Sequence, residues 1–249
     1  MRHTKDLHLI VMLALVVTLA MVTGTPAQQG AVDETLGRPA PVGGPMSGGP
    51  VPPGGTEALL DDFNRADGPI GSNWTVWDGY CNVLSNAAVC GSMGRATFNS
   101  GLGAGDEADV DIAANGTSLQ YAGLLLNYGA GSSNLFLKVQ EQSPYAGQFT
   151  NGGCYTGNND TGGAFGLGFF PLTSPFTTAH MAATRVGDDV TIVFSNIDGG
   201  AQPDQTYVCS GAPAREGIGV GILGYAGIAQ MDNFGSAAIP VELMSLSVE

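Results

Sequence analysis

Asp189-Val190-Thr191-Ile192-Val193-Phe194-Ser195 decides the fold class. Val190, Ile192 and Phe194 fall on one side of an extended chain, with Thr191, Val193 and Ser195 on the other, a period of two that no helix reproduces. Leu135, Leu137 and Val139 alternate in the same way with Phe136, Lys138 and Gln140. Ala108, Val110 and Ile112 alternate with Glu107, Asp109 and Asp111. Each run predicts a strand with one face inward. Gly129-Ala130-Gly131, Gly187-Asp188-Asp189 and Asp198-Gly199-Gly200 supply the turns between such runs. No stretch carries a sustained helical stripe, so residues 58–238 are expected to form one antiparallel β-sandwich.

Upstream of that block the pattern changes twice. Residues 28–57 hold Pro39, Pro41, Pro45, Pro50, Pro52 and Pro53 among many glycines, the composition of a flexible linker. Residues 1–27 begin with Arg2 and Lys5, run almost without a polar side chain from Leu9 to Val22, and reach the small residues Thr25 and Ala27. That order is the pattern of a cleaved signal peptide, too short and wrongly flanked for a membrane span; an uncleaved anchor is the alternative. Cleavage would leave a secreted or cell-surface protein with no membrane insertion.

An exported chain with an even number of cysteines reads as disulfide-bonded. Three pairings of Cys81, Cys90, Cys154 and Cys209 are possible. Cys81–Cys90 suits a hairpin, and Cys154–Cys209 would then close the longer loop, so that pairing is expected. Zinc is a weaker rival, because there is no CxxC pair and His180 is the one histidine beyond residue 27. The formal net charge of −14 repels a phosphate backbone and anionic lipid, which argues against a nucleic-acid partner.

Three segments in order carry a resemblance. They are Asp61-Asp62-Phe63-Asn64-Arg65-Ala66-Asp67-Gly68 with Ile70-Gly71 and Trp74; Tyr121-Ala122-Gly123-Leu124-Leu125-Leu126 with Asn134-Leu135-Phe136-Leu137-Lys138-Val139; and Gly219-Val220-Gly221-Ile222 with Met231-Asp232-Asn233-Phe234. They resemble the first strand, central hairpin and closing strand of bacterial laminin-G-like, concanavalin A-like jelly-roll domains. The resemblance implies that the first and last strands pair, with Phe63 and Phe234 inward and Asp62 and Asn233 outward. It places Trp74 in the core, and it implies structural Ca²⁺ held by Asp61, Asp62 and Asp232. The loop Gly157-Asn158-Asn159-Asp160-Thr161-Gly162 is a second oxygen-rich place for that ion. The tail 239–249 is similar to a segment found after the last domain of bacterial surface proteins.

The scaffold hosts lectins, carbohydrate-binding modules, glycosidases and adhesion domains, so side chains must choose among them. Glycosidases of this fold carry a Glu-x-Asp-x-x-Glu strand. Glu107-Ala108-Asp109-Val110-Asp111 is the nearest match, but Ile112 follows and no acid/base glutamate completes it. The plainer reading is a solvated acidic strand face, with His180 at a turn or strand end. Sugar recognition needs aromatic faces beside hydroxyl-binding groups. Trp77, Asp78 and Tyr80 cluster ahead of Cys81, Trp77 falls on the face opposite Trp74, and Tyr145, Tyr155 and Asn158 can join from loops. The expected function is a secreted, non-catalytic carbohydrate-binding or cell-surface module whose partner is a polysaccharide or surface glycan. The alternatives are a glycoside hydrolase using Glu107, Asp109 and Asp111, or a structural envelope protein without a small ligand.

Overall fold

A computed structural model describes residues 57–99, 104–116, 118–129, 134–141, 147–157 and 166–237. The expected signal segment 1–27, the linker up to residue 56, the tail 239–249, Tyr145 and Asn158 lie outside the described residues. Among the described residues the regular structure is strand, apart from one 3₁₀ turn at Ile197–Gly199. In chain order the strands are β1 (Glu57–Asp61), β2 (Gly68–Pro69), β3 (Trp74–Leu84), β4 (Ala87–Phe98) and β5 (Glu107–Ala113). There follow β6 (Tyr121–Tyr128), β7 (Leu135–Gln140), β8 (Phe149–Thr156), β9 (Gly166–Phe176) and β10 (Thr178–Val186). The last are β11 (Asp189–Ser195), β12 (Gln205–Ser210), β13 (Gly219–Tyr225) and β14 (Gln230–Ala237).

All pairings are antiparallel, and the strands form a jelly-roll β-sandwich. One layer runs β12-β11-β10-β5-β14 with β1 beside β14; the other runs β3-β4-β13-β6-β7-β8-β9 with β2 beside β3. The layers join where Met231 of β14 pairs with Ala88 of β4. Their inward faces make one core. Val110 and Ile112 of β5 and Val190, Ile192 and Phe194 of β11 pack with Leu124, Leu126, Leu135 and Leu137 from the larger sheet.

β1 and β14 lie side by side, from Glu57 opposite Ala237 to Asp61 opposite Phe234. Phe63 and Phe234 are fully buried, and Asp62 is exposed. Trp74 stands between these rings, with centroids 5.6 Å from Phe63, 5.3 Å from Phe98 and 5.0 Å from Phe234. Two disulfides are present, Cys81–Cys90 and Cys154–Cys209. The first ties opposite residues of the β3–β4 hairpin. The second bridges β8 to β12 across the layers, beside the stacked rings of Phe170 and Tyr207.

β7 departs from the expected alternation. Phe136 and Lys138, read as solvent-facing, are 0% and 5% exposed. A second apolar cluster of Tyr121, Leu125, Tyr128, Phe136, Tyr155 and Leu223 covers the outer side of this sheet. A strand buried on both faces has no polar side for alternation to show.

Candidate functional site

The outer face of the larger sheet is built in register. Arg95 lies opposite Leu223, then come Gly123, Lys138, Gly153 and Phe169 on successive strands. One step along the strands the row reads Thr97, Gly221, Leu125, Phe136, Tyr155. Aromatic rings overlie both rows. Tyr128 meets Phe136 edge-on at 5.8 Å, and Tyr121 stacks on Tyr225 at 5.4 Å. The Lys138 ammonium sits 4.4 Å from the Tyr121 centroid and 4.8 Å from that of Tyr155, and the Arg95 guanidinium 5.5 Å from that of Phe136. Both cations are thus held against π faces that favour positive charge.

Trp77, Asp78 and Tyr80 occupy the β3 edge of this face. Regular alternation would send Trp77 and Asp78 to opposite sides, but the β3–β4 register shifts between Val76 and Asp78 and again between Asp78 and Tyr80. Bulges of this kind re-aim side chains. Here both reach the outer face, because the Trp77 indole donates to the Thr97 hydroxyl (2.9 Å) and the Arg95 guanidinium donates to the Asp78 carboxylate. Gly79 makes the turn possible. It has φ +55°, and a β-carbon there would stand 2.4 Å from the Gly91 carbonyl oxygen.

Trp77 is held in place from two sides. Its ring is anchored to Thr97 on β4 and packs 5.4 Å from Tyr128 on β6. Between those strands runs β13, which presents Gly221 opposite Thr97 and Gly219 opposite Tyr128. The indole therefore spans a strip of glycine while remaining 46% exposed. Tyr80 is 43% exposed, and its ring crosses Gly91, where a β-carbon would come within 2.3 Å. Tyr155 lies on the same face but is buried, four strands from β4, roughly 19 Å at the usual strand spacing. Of the expected sugar contacts, Trp77, Asp78 and Tyr80 are together, and Tyr155 anchors the far side. Thr97, Tyr128 and Arg95, which hold Trp77 and Asp78 in place, carried no signal of their own in the sequence.

Asp78 is held well ionised. The Arg95 hydrogen bond, followed by the Gly79 amide, lowers its pKa below the ordinary carboxylate value. It is also the one carboxylate in the seven strands β3, β4, β13, β6, β7, β8 and β9.

The acidic run Glu107-Asp109-Asp111 belongs to the other sheet and faces away from this site. Glu107 alone is solvated, as expected, whereas Asp109 and Asp111 are 6% and 9% exposed. His180 lies within β10, directly opposite Asp111, and its Nδ1 is 2.8 Å from Asp111 Oδ1. Asn233 donates to the other Asp111 oxygen at 2.8 Å, and Asp109 lies 3.9 Å from His180 Nε2. These carboxylates join β5, β10 and β14.

Where β1 meets β14, Asp61 is already occupied. The Arg65 guanidinium donates to both its oxygens (2.6 and 3.0 Å), the Trp74 indole to one (2.6 Å), and the Phe63 amide to the other (2.8 Å). Burial works to raise the Asp61 pKa, and these donors outweigh it, so the carboxyl sits below its ordinary value. Asp232 is the opposite case. Burial pushes it up to about 6, and the nearby carboxylates of Asp111, Asp62 and Asp61 add to the rise against the single amide of Asn233. The expected calcium ligands therefore divide, with Asp61 committed to Arg65 while Asp62 and Asp232 remain beside each other's charge.

No protein-family model matches the chain, and no curated protein sequence matches it. Solved structures do. A carbohydrate binding module from Bacillus subtilis is 12% identical, with 67% of this chain and 96% of that one covered and a TM-score of 0.43. The CBM2 module of the evolved Dit of Lactobacillus casei BL23 phage J-1 is 13% identical, with 74% and 97% covered and a TM-score of 0.47. A Bacillus licheniformis β-glucanase is 9% identical, with 72% and 97% covered and a TM-score of 0.46. Likeness at this level transfers no residue and no activity to this chain.

Proposed function

We propose that this chain is an exported carbohydrate-binding protein that takes a polysaccharide on the outer face of its larger sheet. Trp77 carries the reading. Its edge is fixed by Thr97, one side is packed, and the exposed side offers a preorganised apolar plane against which a sugar ring can stack. Tyr80 extends that surface along the β3 edge. Among the described residues of these seven strands Asp78 is the one carboxylate, whereas glycosidic hydrolysis ordinarily engages two, and this favours binding on this face. The two disulfides fit an oxidising compartment, as export through the N-terminal segment requires. Calcium belongs to the same proposal, with Asp62 and Asp232 as its carboxylates and charge relief at Asp232 as its structural gain.

A glycan array with the full chain tests the function, followed by calorimetry on the polysaccharide found. Covering the exposed half of an indole contributes about 2 kcal/mol, so Trp77→Ala is expected to weaken binding roughly thirtyfold. Reducing-sugar release from that polysaccharide is expected to stay at background.

A further inference from the structure

We infer that Asp78 reads the sugar through two neighbouring hydroxyls at once, that Arg95 is the positioning residue that aims it, and that the polymer taken on this face is uncharged. This inference rests on the binding face proposed above. The Asp78 side chain is 53% exposed and adjoins the stacking plane of Trp77. Its oxygens are used symmetrically. Oδ1 accepts the Gly79 N–H at 2.9 Å, and Oδ2 accepts from Arg95 Nη2. An ionised carboxylate offers about four acceptor positions, two on each oxygen. One on each oxygen remains, and the two together match a pair of hydroxyls on adjacent carbons of a sugar ring lying against Trp77.

Arg95 fixes that orientation. Its side chain is 11% exposed, stands opposite Asp78 in the β3–β4 ladder, and rests over the Phe136 ring. Both partners sit on strands, so little freedom is lost when a ligand arrives. The charge pattern selects a neutral ligand. Of the charged groups on this sheet, Arg95 is buried against Asp78 and Lys138 is buried between two tyrosines, while the carboxylate faces solvent. The net charge of −14 acts in the same direction. A uronate or sulfate seated on Trp77 would meet the Asp78 carboxylate first, and like charges repel.

The test uses affinity electrophoresis of the full chain in soluble β-glucan, xylan, mannan and galactan, and in polygalacturonate and alginate, with calorimetry on the polymer that retards it. Retardation is expected in a neutral gel and not in the acidic ones, a comparison that needs no variant to fold. On the neutral polymer, Asp78→Asn is expected to weaken binding about tenfold or more, the loss of hydrogen bonds to a charged acceptor. Arg95→Met is expected to weaken binding and to make it pH-dependent. Its affinity should fall as pH drops through the ordinary carboxylate range, where the wild type stays flat. Arg95→Lys should restore part of the affinity and the flat profile, with melting temperatures confirming that each variant is folded. Tighter binding to the acidic polymers would overturn the inference. So would unchanged affinity in folded Asp78→Asn while Trp77→Ala abolishes binding, a result that leaves the face itself standing. No effect of Trp77→Ala, or no polysaccharide bound, would overturn the face and the inference together.

Discussion

Replacing Asp232 with asparagine is expected to stabilise the protein at neutral pH and to do nothing in acid. The wild-type carboxyl is half-buried at the β5–β14 seam, near Asp111, Asp62 and Asp61, and its pKa rises from 3.8 to about 6. A group whose folded pKa is raised binds its proton more tightly in the native state. Its stabilising contribution is full below 3.8 and is lost as pH rises through about 6. The shift of about two pKa units would correspond to roughly 3 kcal/mol, which solvent screening of a half-exposed group reduces to about 1–2 kcal/mol. An asparagine keeps the shape and escapes the repulsion. For a domain of this size its melting temperature should exceed the wild type's by roughly 2–8 °C at about pH 7.5. The assay is calorimetry from acid to neutral pH in EDTA, so that no bound cation masks the repulsion. A variant that melts at or below the wild type at neutral pH would refute the reasoning, as would a gap that fails to close in acid. With calcium added back, the wild type should gain stability that the variant does not, and equal responses would remove Asp232 from the ion.

Arg65→Met should destabilise the fold by about 2–3 kcal/mol at neutral pH, because it strips Asp61 of its guanidinium partner. Urea unfolding should show that loss shrinking in acid, where Asp61 can take a proton. Substituting Cys154 and Cys209 with serine opens a 55-residue loop and should cost about 4 kcal/mol, against about 3 for the nine-residue Cys81–Cys90 loop, both read by chemical denaturation. Gly79→Ala should lower both stability and sugar affinity, because a β-carbon there collides with the Gly91 carbonyl and the bulge that presents Trp77 and Asp78 must give way. A variant that melts and binds as the wild type does would show that the bulge is not needed.

Where one sheet face is core and the other is wet, the strands could be read from sequence. β11 and β5 put Val190, Ile192, Phe194, Val110 and Ile112 inward, as their alternation requires. The pairing of β1 with β14 is what the resemblance carried by Asp61-Asp62-Phe63 and Asp232-Asn233-Phe234 implies. The outer side of β7 is not legible in the sequence, because Phe136 and Lys138 fall on the solvent-facing side of the alternation until Tyr121, Tyr128 and Tyr155 arrive from neighbouring strands to cover them. The unbroken run Ala122-Gly123-Leu124-Leu125-Leu126 was the available hint that this part of the sheet is covered on both sides. The burial of the acidic strand is hidden for a related reason. Nothing local shows that Asp111 will face His180, 69 residues away, and Asn233, 122 residues away. At the candidate site, the sequence parity of Trp77 with Trp74 indicated the correct face, whereas the position of Asp78 depended on a bulge that only Gly79 foreshadowed.

The most direct measurement is calorimetric titration of the full chain and of Trp77→Ala with the polysaccharide that the glycan array identifies. Saturable binding by the folded wild type, weakened roughly thirtyfold in the variant, is the expected result. Equal affinity in the two proteins would contradict sugar recognition on this face.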